Sequence, residues 1–265
     1  MHEEAKPGWD ATKEQIDKLA WWDEVNTKAK LNLGSTVMNV HPVAFVSNYK
    51  TNIPMHVTIE QLAAIMPNAK PEKLDKFLIP INITFELFQI NTPLRKAHFL
   101  AQVAHETSDL RFLEELGNDS YLRQYDGRLG NRENTDDYKT FKGRGLLHIT
   151  GRETYTSCQN YLNQINGYQS YGITNNLDLI SSSKNAKKLS SVPLLSSLAS
   201  GYFWSIYKPK LNKSADNDDI FWVSVYVNGW TKQATPYYPK RDREPNHMKE
   251  RVQKLKLAKK SFGVI

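Results

Sequence analysis

Glu106, Glu115 and Asp126 bring three carboxyl groups into one short stretch, and the chain then runs into Phe141-Lys-Gly-Arg-Gly-Leu-Leu-His-Ile-Thr-Gly-Arg152. Breaking an acetal bond takes two carboxyl groups on opposite sides of the scissile oxygen. One protonates the leaving group, and the other handles water or a positively charged sugar. Three acids followed by a glycine-rich run that exposes backbone fit that requirement. The spacing alone fits surface acids equally well, because acids are common on surfaces.

These groups need elements to hold them. Thr92-Pro93 is an N-cap followed by proline at the first helical position. Leu94, Ala97, Leu100, Ala101 and Ala104 then line the buried side of a helix that delivers His105 and Glu106 at its C-terminal end. The negative end of the helix dipole disfavours a carboxylate, so Glu106 is expected to have a raised pKa, as a proton donor near neutrality requires. Upstream, Thr58 with Gln61 makes a capping box for Ile59 to Met66, and Pro67 stops it. Leu74 to Phe88 has helical spacing, with a kink or break expected at Pro80. Residues 109 to 140 read as a loop region over the cleft, with room for a small β element. Gly143 and Gly145 would let backbone approach a sugar closely, or simply turn against the long helix.

Further on, Ser190 or Ser191 is expected to cap a helix whose core stripe runs from Leu194 to Ile206. Asp218 to Val227 leads helically into Asn228-Gly229. Pro236 to Pro245 is a polar insertion, and a last helix runs from about His247 to Phe262. Its basic run, Lys249 to Lys260, reads as a solvated face. Residues 1–57 differ from the rest. They carry an aromatic segment, Lys18-Leu-Ala-Trp-Trp-Asp-Glu-Val25, and a β-rich one interrupted by Pro42. We expect an extended arm over 1–57 that packs on a catalytic body at 58–265.

The net charge is +7, from 35 basic and 28 acidic residues, which favours polyanionic partners such as nucleic acid or an anionic cell wall. No nucleic-acid motif accompanies the charge, so no nucleic-acid partner is expected. The one cysteine, Cys158, permits neither an internal disulfide nor a cysteine metal cluster, and it reads as a small buried hydrophobe. The seven histidines lack metal-ligand spacing, so no metal or other cofactor is expected. No stretch reaches membrane-span length, and the first residues have no apolar signal-peptide core. We therefore expect synthesis in the cytoplasm without a signal peptide, and no membrane insertion.

The letters around the acids are more specific than their spacing. His98-Phe-Leu-Ala-Gln-Val-Ala-His-Glu-Thr107, Tyr125-Asp-Gly-Arg-Leu-Gly-Asn131, Phe141 to Tyr155 and Val227-Asn-Gly229 resemble, in order and spacing, four blocks of glycoside hydrolase family 19. That family includes chitinases and lysozyme-like phage endolysins. The resemblance covers roughly residues 75–262 and implies a mainly α, lysozyme-like, two-lobed helical domain with a central cleft. It gives Glu106 the place of the general acid. Glu115 matches a second glutamate of the endolysin-like branch, and Asp126 stands where many members have glutamate, so the base is left open between the two. Thr150 takes the hydroxyl position that helps hold water, and Asn228 matches a substrate-binding asparagine. His105, Tyr125, Arg144, His148 and Arg152 are the remaining candidate substrate contacts within these blocks. His148 stands where the family usually has glutamine, and Thr154 where it often has asparagine. Inversion at the anomeric carbon is what the resemblance to the family's chitinases implies.

The Trp-Trp-Asp-Glu and His-Pro-Val segments of the arm resemble those preceding the hydrolase domain in certain cell-wall-degrading effectors of type VI secretion systems. Together these features favour a hydrolase of the β-1,4 glycan strand of peptidoglycan, acting in the periplasm of a target bacterium. A secretion-machine component and a cognate immunity protein are the expected partners. A chitinase is the close alternative, and a non-catalytic wall-binding module is a further one.

Overall fold

The computed structural model describes residues 54–165 and 176–264. Among these residues, eight helices reach seven residues or more: α1 (Ile59–Ile65), α2 (Pro71–Leu87), α3 (Pro93–Glu106), α4 (Arg152–Gln164), α5 (Pro193–Tyr202), α6 (Lys210–Asp216), α7 (Ile220–Asn228) and α8 (Met248–Ser261). One-turn helices occupy several connections, and α5 continues as a π-helical turn, Phe203–Tyr207. Two short strands, β1 (Thr231–Lys232) and β2 (Arg243–Glu244), pair antiparallel.

Local sequence explains the starts of the first helices. Thr58 and Gln61 form the reciprocal capping box of α1. Thr92 accepts from the Arg95 backbone N–H at 3.1 Å at the start of α3. The expected break at Pro80 does not occur, and α2 begins earlier, at Pro71. A proline inside a helix loses one backbone hydrogen bond, but burial of Phe77, Ile81 and Phe85 on the same helix outweighs that loss.

The core is built around α3. Residues 97–104 are all buried, so this helix is enclosed on every side rather than on one stripe. α8 lies along it and α5 packs on α2. A Cβ at Gly201 would sit 2.4 Å from a Phe88 ring carbon and 2.5 Å from the Thr84 methyl, so glycine sets how closely α5 and α2 approach. Phe85, Phe99 and Trp204 form an edge-to-face series with centroids 5.5 and 5.2 Å apart, each pair contributing about 0.5–1.5 kcal/mol beyond burial. Cys158 is fully buried, and its surroundings push its thiol pKa up.

Several expectations are corrected. No serine caps α5. Val192 is its N-cap residue, and Ser190 Oγ lies 3.2 Å from Glu114 Oε2. Ile206 is 42% exposed and leaves the core stripe, because the π turn shifts the helical register. Between 109 and 140 the only β pairing is a bridge from Glu114 to Arg144, and the two-stranded element forms later, at 231–244. The basic face of α8 is not wholly solvated. Arg251 is buried, Lys254 pairs with Asp109 and Lys259 with Asp218. The expected arm lies outside the described residues except for its last four. There Val57 is fully buried, and its backbone N–H donates to Asn82 Oδ1 at 2.9 Å. Among the described residues no helix is long and apolar enough to cross a membrane.

Candidate active site

Glu106 is the last residue of α3, and its partner comes from α8. The Arg251 guanidinium, 1% exposed, donates through Nη2 to Glu106 Oε1 at 2.7 Å. Its Nη1 donates to Gln102 Oε1, one turn earlier on α3, and its Nε to the Asn246 carbonyl at 3.0 Å. Gln102 in turn reaches Ser224 Oγ on α7 at 3.3 Å. The carboxylate is thus held where three helices meet. Burial pushes the Glu106 carboxyl up. The Arg251 guanidinium, His105, the hydrogen bond from Arg251 and His148 together outweigh burial and hold it below the usual carboxylate range. The expected rise is therefore corrected, because a full charge at hydrogen-bond distance outweighs the fractional charge of a helix end.

His105 is pushed down to about 4, first by burial and then by Arg251, so its imidazole is neutral at pH 7. Its Nδ1 lies 3.4 Å from Glu250 Oε2.

Glu115 is fixed differently. Oε1 accepts from the Tyr125 hydroxyl at 2.8 Å and Oε2 from the Gly143 backbone N–H at 2.9 Å. The Glu115 N–H returns a bond to the Gly143 carbonyl at 2.8 Å. A Cβ at Gly143 would meet His148 Cβ at 3.0 Å and Glu115 Cβ at 3.2 Å. That glycine is needed for close packing of the two side chains. His148 has a left-handed backbone (φ 47°) and lies 3.1 Å through Nε2 from the Phe112 carbonyl. It flanks Gly143, whose backbone N–H donates to Glu115, and acts electrostatically on Glu106. Thr150 is half-buried two residues on, its hydroxyl donating to the His148 carbonyl at 2.8 Å.

The remaining expected residues each have partners of their own. Asp126 Oδ1 accepts from the Asn134 backbone N–H at 3.0 Å and closes a turn. Arg144 is 1% exposed and cannot reach a sugar. Its guanidinium donates to the Thr140 carbonyl at 2.6 Å and pairs with Glu114. Arg152 forms a two-point pair with Asp137, both contacts 2.6 Å, and lies over the Phe141 ring. Arg144 is corrected from a substrate contact to a loop fastener, whereas Arg152 stays partly exposed beside Asp137. Asn228 is exposed at the end of α7, and its Oδ1 accepts from the Asn246 N–H at 2.8 Å, on the segment that also receives Arg251.

No known protein-family profile matches the sequence. Solved structures do match the backbone. Chitinase C from Streptomyces griseus HUT6037 aligns with a TM-score of 0.55 at 16% identity, over 79% of this chain and 93% of that one. A bacterial family 19 chitinase gives 0.55 at 17% identity, over 79% and 96%. The fold is that of the family 19 chitinases. The family 19, class IV chitinase of Zea mays extends the likeness to a plant protein, at TM-score 0.51 and 15% identity over 80% and 95%. At such identities the likeness is one of backbone. The expected lysozyme-like helical architecture is met by this family 19 chitinase fold.

Sequence reasoning missed Arg251, Gln102 and Glu114. Arg251 carried a readable signal, because it shares the stripe of Met248, Leu255 and Ala258, the buried positions of α8. A charge on an apolar stripe requires a buried partner. Glu114 is held down to about 2. Burial opposes this, but hydrogen bonds from Lys142 and Arg144 and their charges prevail. The family resemblance singles out its neighbour Glu115, and nothing in the sequence marks Glu114 itself.

Proposed function

We propose that this chain is a glycoside hydrolase that cuts the β-1,4 glycan strand of bacterial peptidoglycan. The observation that carries this reading is a buried, arginine-paired Glu106 at the end of α3 together with a Glu115 fixed by Tyr125 and Gly143, on a family 19 chitinase backbone. The two carboxyl groups are held by opposite means, one by a buried guanidinium and one by a phenol and a backbone N–H. Different environments are what divide acid from base duties between two carboxyl groups.

Glu106 protonates the glycosidic oxygen. In the free protein Arg251 favours its ionised form. A bound sugar removes the remaining 17% exposure and so pushes the carboxyl up, toward the proton-bearing form. Glu115 takes a proton from water, which attacks the anomeric carbon as the leaving oxygen departs with the proton from Glu106. Inversion follows if a water fits between the two groups. Thr150 orients that water, and His105 and Asn228 contact the sugar.

Peptidoglycan is preferred over chitin because the net charge of +7 suits an anionic wall and the Glu106/Glu115 pairing is endolysin-like. Chitin is the second reading, favoured by the solved chitinases that share the backbone. The resemblance of the N-terminal segments supports delivery into a target periplasm by a type VI secretion machine, with an immunity protein guarding the producer.

Digestion of purified peptidoglycan and of chitin side by side, read by mass spectrometry, tests this. Reducing-end N-acetylmuramic acid from peptidoglycan is the expected product. Cleavage of chitin alone would transfer the protein to the second reading.

A further inference from the structure

A cavity of about 790 Å³, with His105 in its lining, opens between the start of α2, the turn after α3 and α8. Lys70, Lys73, Arg111 and Lys254 line it. Four cationic side chains thus face two acids, of which Asp109 is already matched. Asp109 accepts from Lys254 Nζ at 2.5 Å and from both nitrogens of Asn68, and Glu250 faces His105 and His247. Among the described residues Lys70, Lys73 and Arg111 have no carboxylate within ion-pair distance. α2 begins at this rim without a side-chain cap, so the positive end of its dipole adds to the lysines.

The wall carries a second signal. Ser108, Asp109 and Leu110 are three consecutive non-glycine residues with left-handed backbone, φ 47°, 59° and 60°. Each such residue costs on the order of 1 kcal/mol or more, and the state persists only where surroundings enforce it. Here Thr107 Oγ1 accepts from the Leu110 N–H at 2.8 Å, and the bonds to Asp109 fix the rest. A strained, pinned turn, two residues on from the proposed general acid, therefore shapes a concave surface with surplus positive charge.

We propose that this cavity is an anion subsite for the carboxylates of the peptide stems that peptidoglycan carries on alternate sugars. The inference rests on the glycan-hydrolase reading and deepens it, because chitin has no such carboxylates and leaves the cavity without a ligand. A strand lying across Glu106 and His105 would direct a stem into it. Lys70, Lys73 and Arg111 would then supply charge-assisted hydrogen bonds to carboxylate oxygens.

The test is calorimetric titration of the full chain with a soluble disaccharide-tripeptide muropeptide, and with the same compound after amidation of its carboxyl groups. Amidation is expected to weaken binding by at least about tenfold. Lys70→Gln combined with Lys73→Gln should weaken binding of the unmodified ligand similarly, and amidation should then add little. Equal binding of the two ligands to the unaltered protein would overturn the proposal without depending on any variant's folding. A protein that cuts walls yet ignores amidation keeps the hydrolase reading and loses the subsite. One that discriminates the ligands but cuts no glycan keeps the subsite and loses the hydrolase reading.

Discussion

Glu106 and Arg251 lie 145 positions apart in the chain and meet at 2.7 Å. Each is interpretable in sequence only up to that meeting. The helix-end place of Glu106 follows from the Thr92 cap and the apolar side of α3, both visible in the letters. Its charge state does not, because the group that governs it belongs to another helix. The same limit separates Glu115 from Asp126. Both sit in motif-like surroundings, but Glu115 receives Tyr125 and Gly143, whereas Asp126 closes a turn with Asn134. Glu115→Ala should therefore lower peptidoglycan hydrolysis by about 10²-fold or more, and Asp126→Ala by much less. The comparison is made on one wall preparation, and a larger loss for Asp126→Ala would reverse the roles.

At the scale of elements, α8 joins the stability of the fold to the state of the site. Arg251→Met leaves Glu106 buried without its counter-charge and should cost about 3–5 kcal/mol, a fall in Tm of roughly 10 °C. Removing the cation also lets the Glu106 pKa rise. The alkaline limb of the kcat/KM profile should then move to higher pH in the surviving enzyme, and an unmoved limb would dissociate Arg251 from the acid. The loop at 114–149 has its own staple. Glu114 is held down to about 2, so its contribution to stability is complete above the unfolded value near 4.5 and is lost as pH falls from there toward 2. Glu114→Gln should remove that part of the acid dependence, seen as a flatter Tm-against-pH curve below pH 4.5. The capping box of α1, the Thr92 cap and the apolar side of α3 were legible because they are local. The hairpin at 231–244 was not, since two residues per strand carry no usable alternation.

The molecule as a whole combines a family 19 chitinase backbone with a net charge of +7. The fold class was legible because four sequence blocks keep their order. The preferred polymer was not, because both polymers present N-acetylglucosamine and differ only in what alternate sugars carry. If the target is the wall, the protein should kill only where the wall is. Expression with an added export signal should lyse cells, and expression without one should not. Equal killing from the cytoplasm would point to an internal target. The most direct test of the central claim measures new reducing ends released from purified peptidoglycan by the unaltered chain and by Glu106→Gln, with folding of both checked by circular dichroism. The account predicts steady release by the first and at least about 10²-fold less by the second. No release by the folded unaltered chain, or equal release by both, would contradict it.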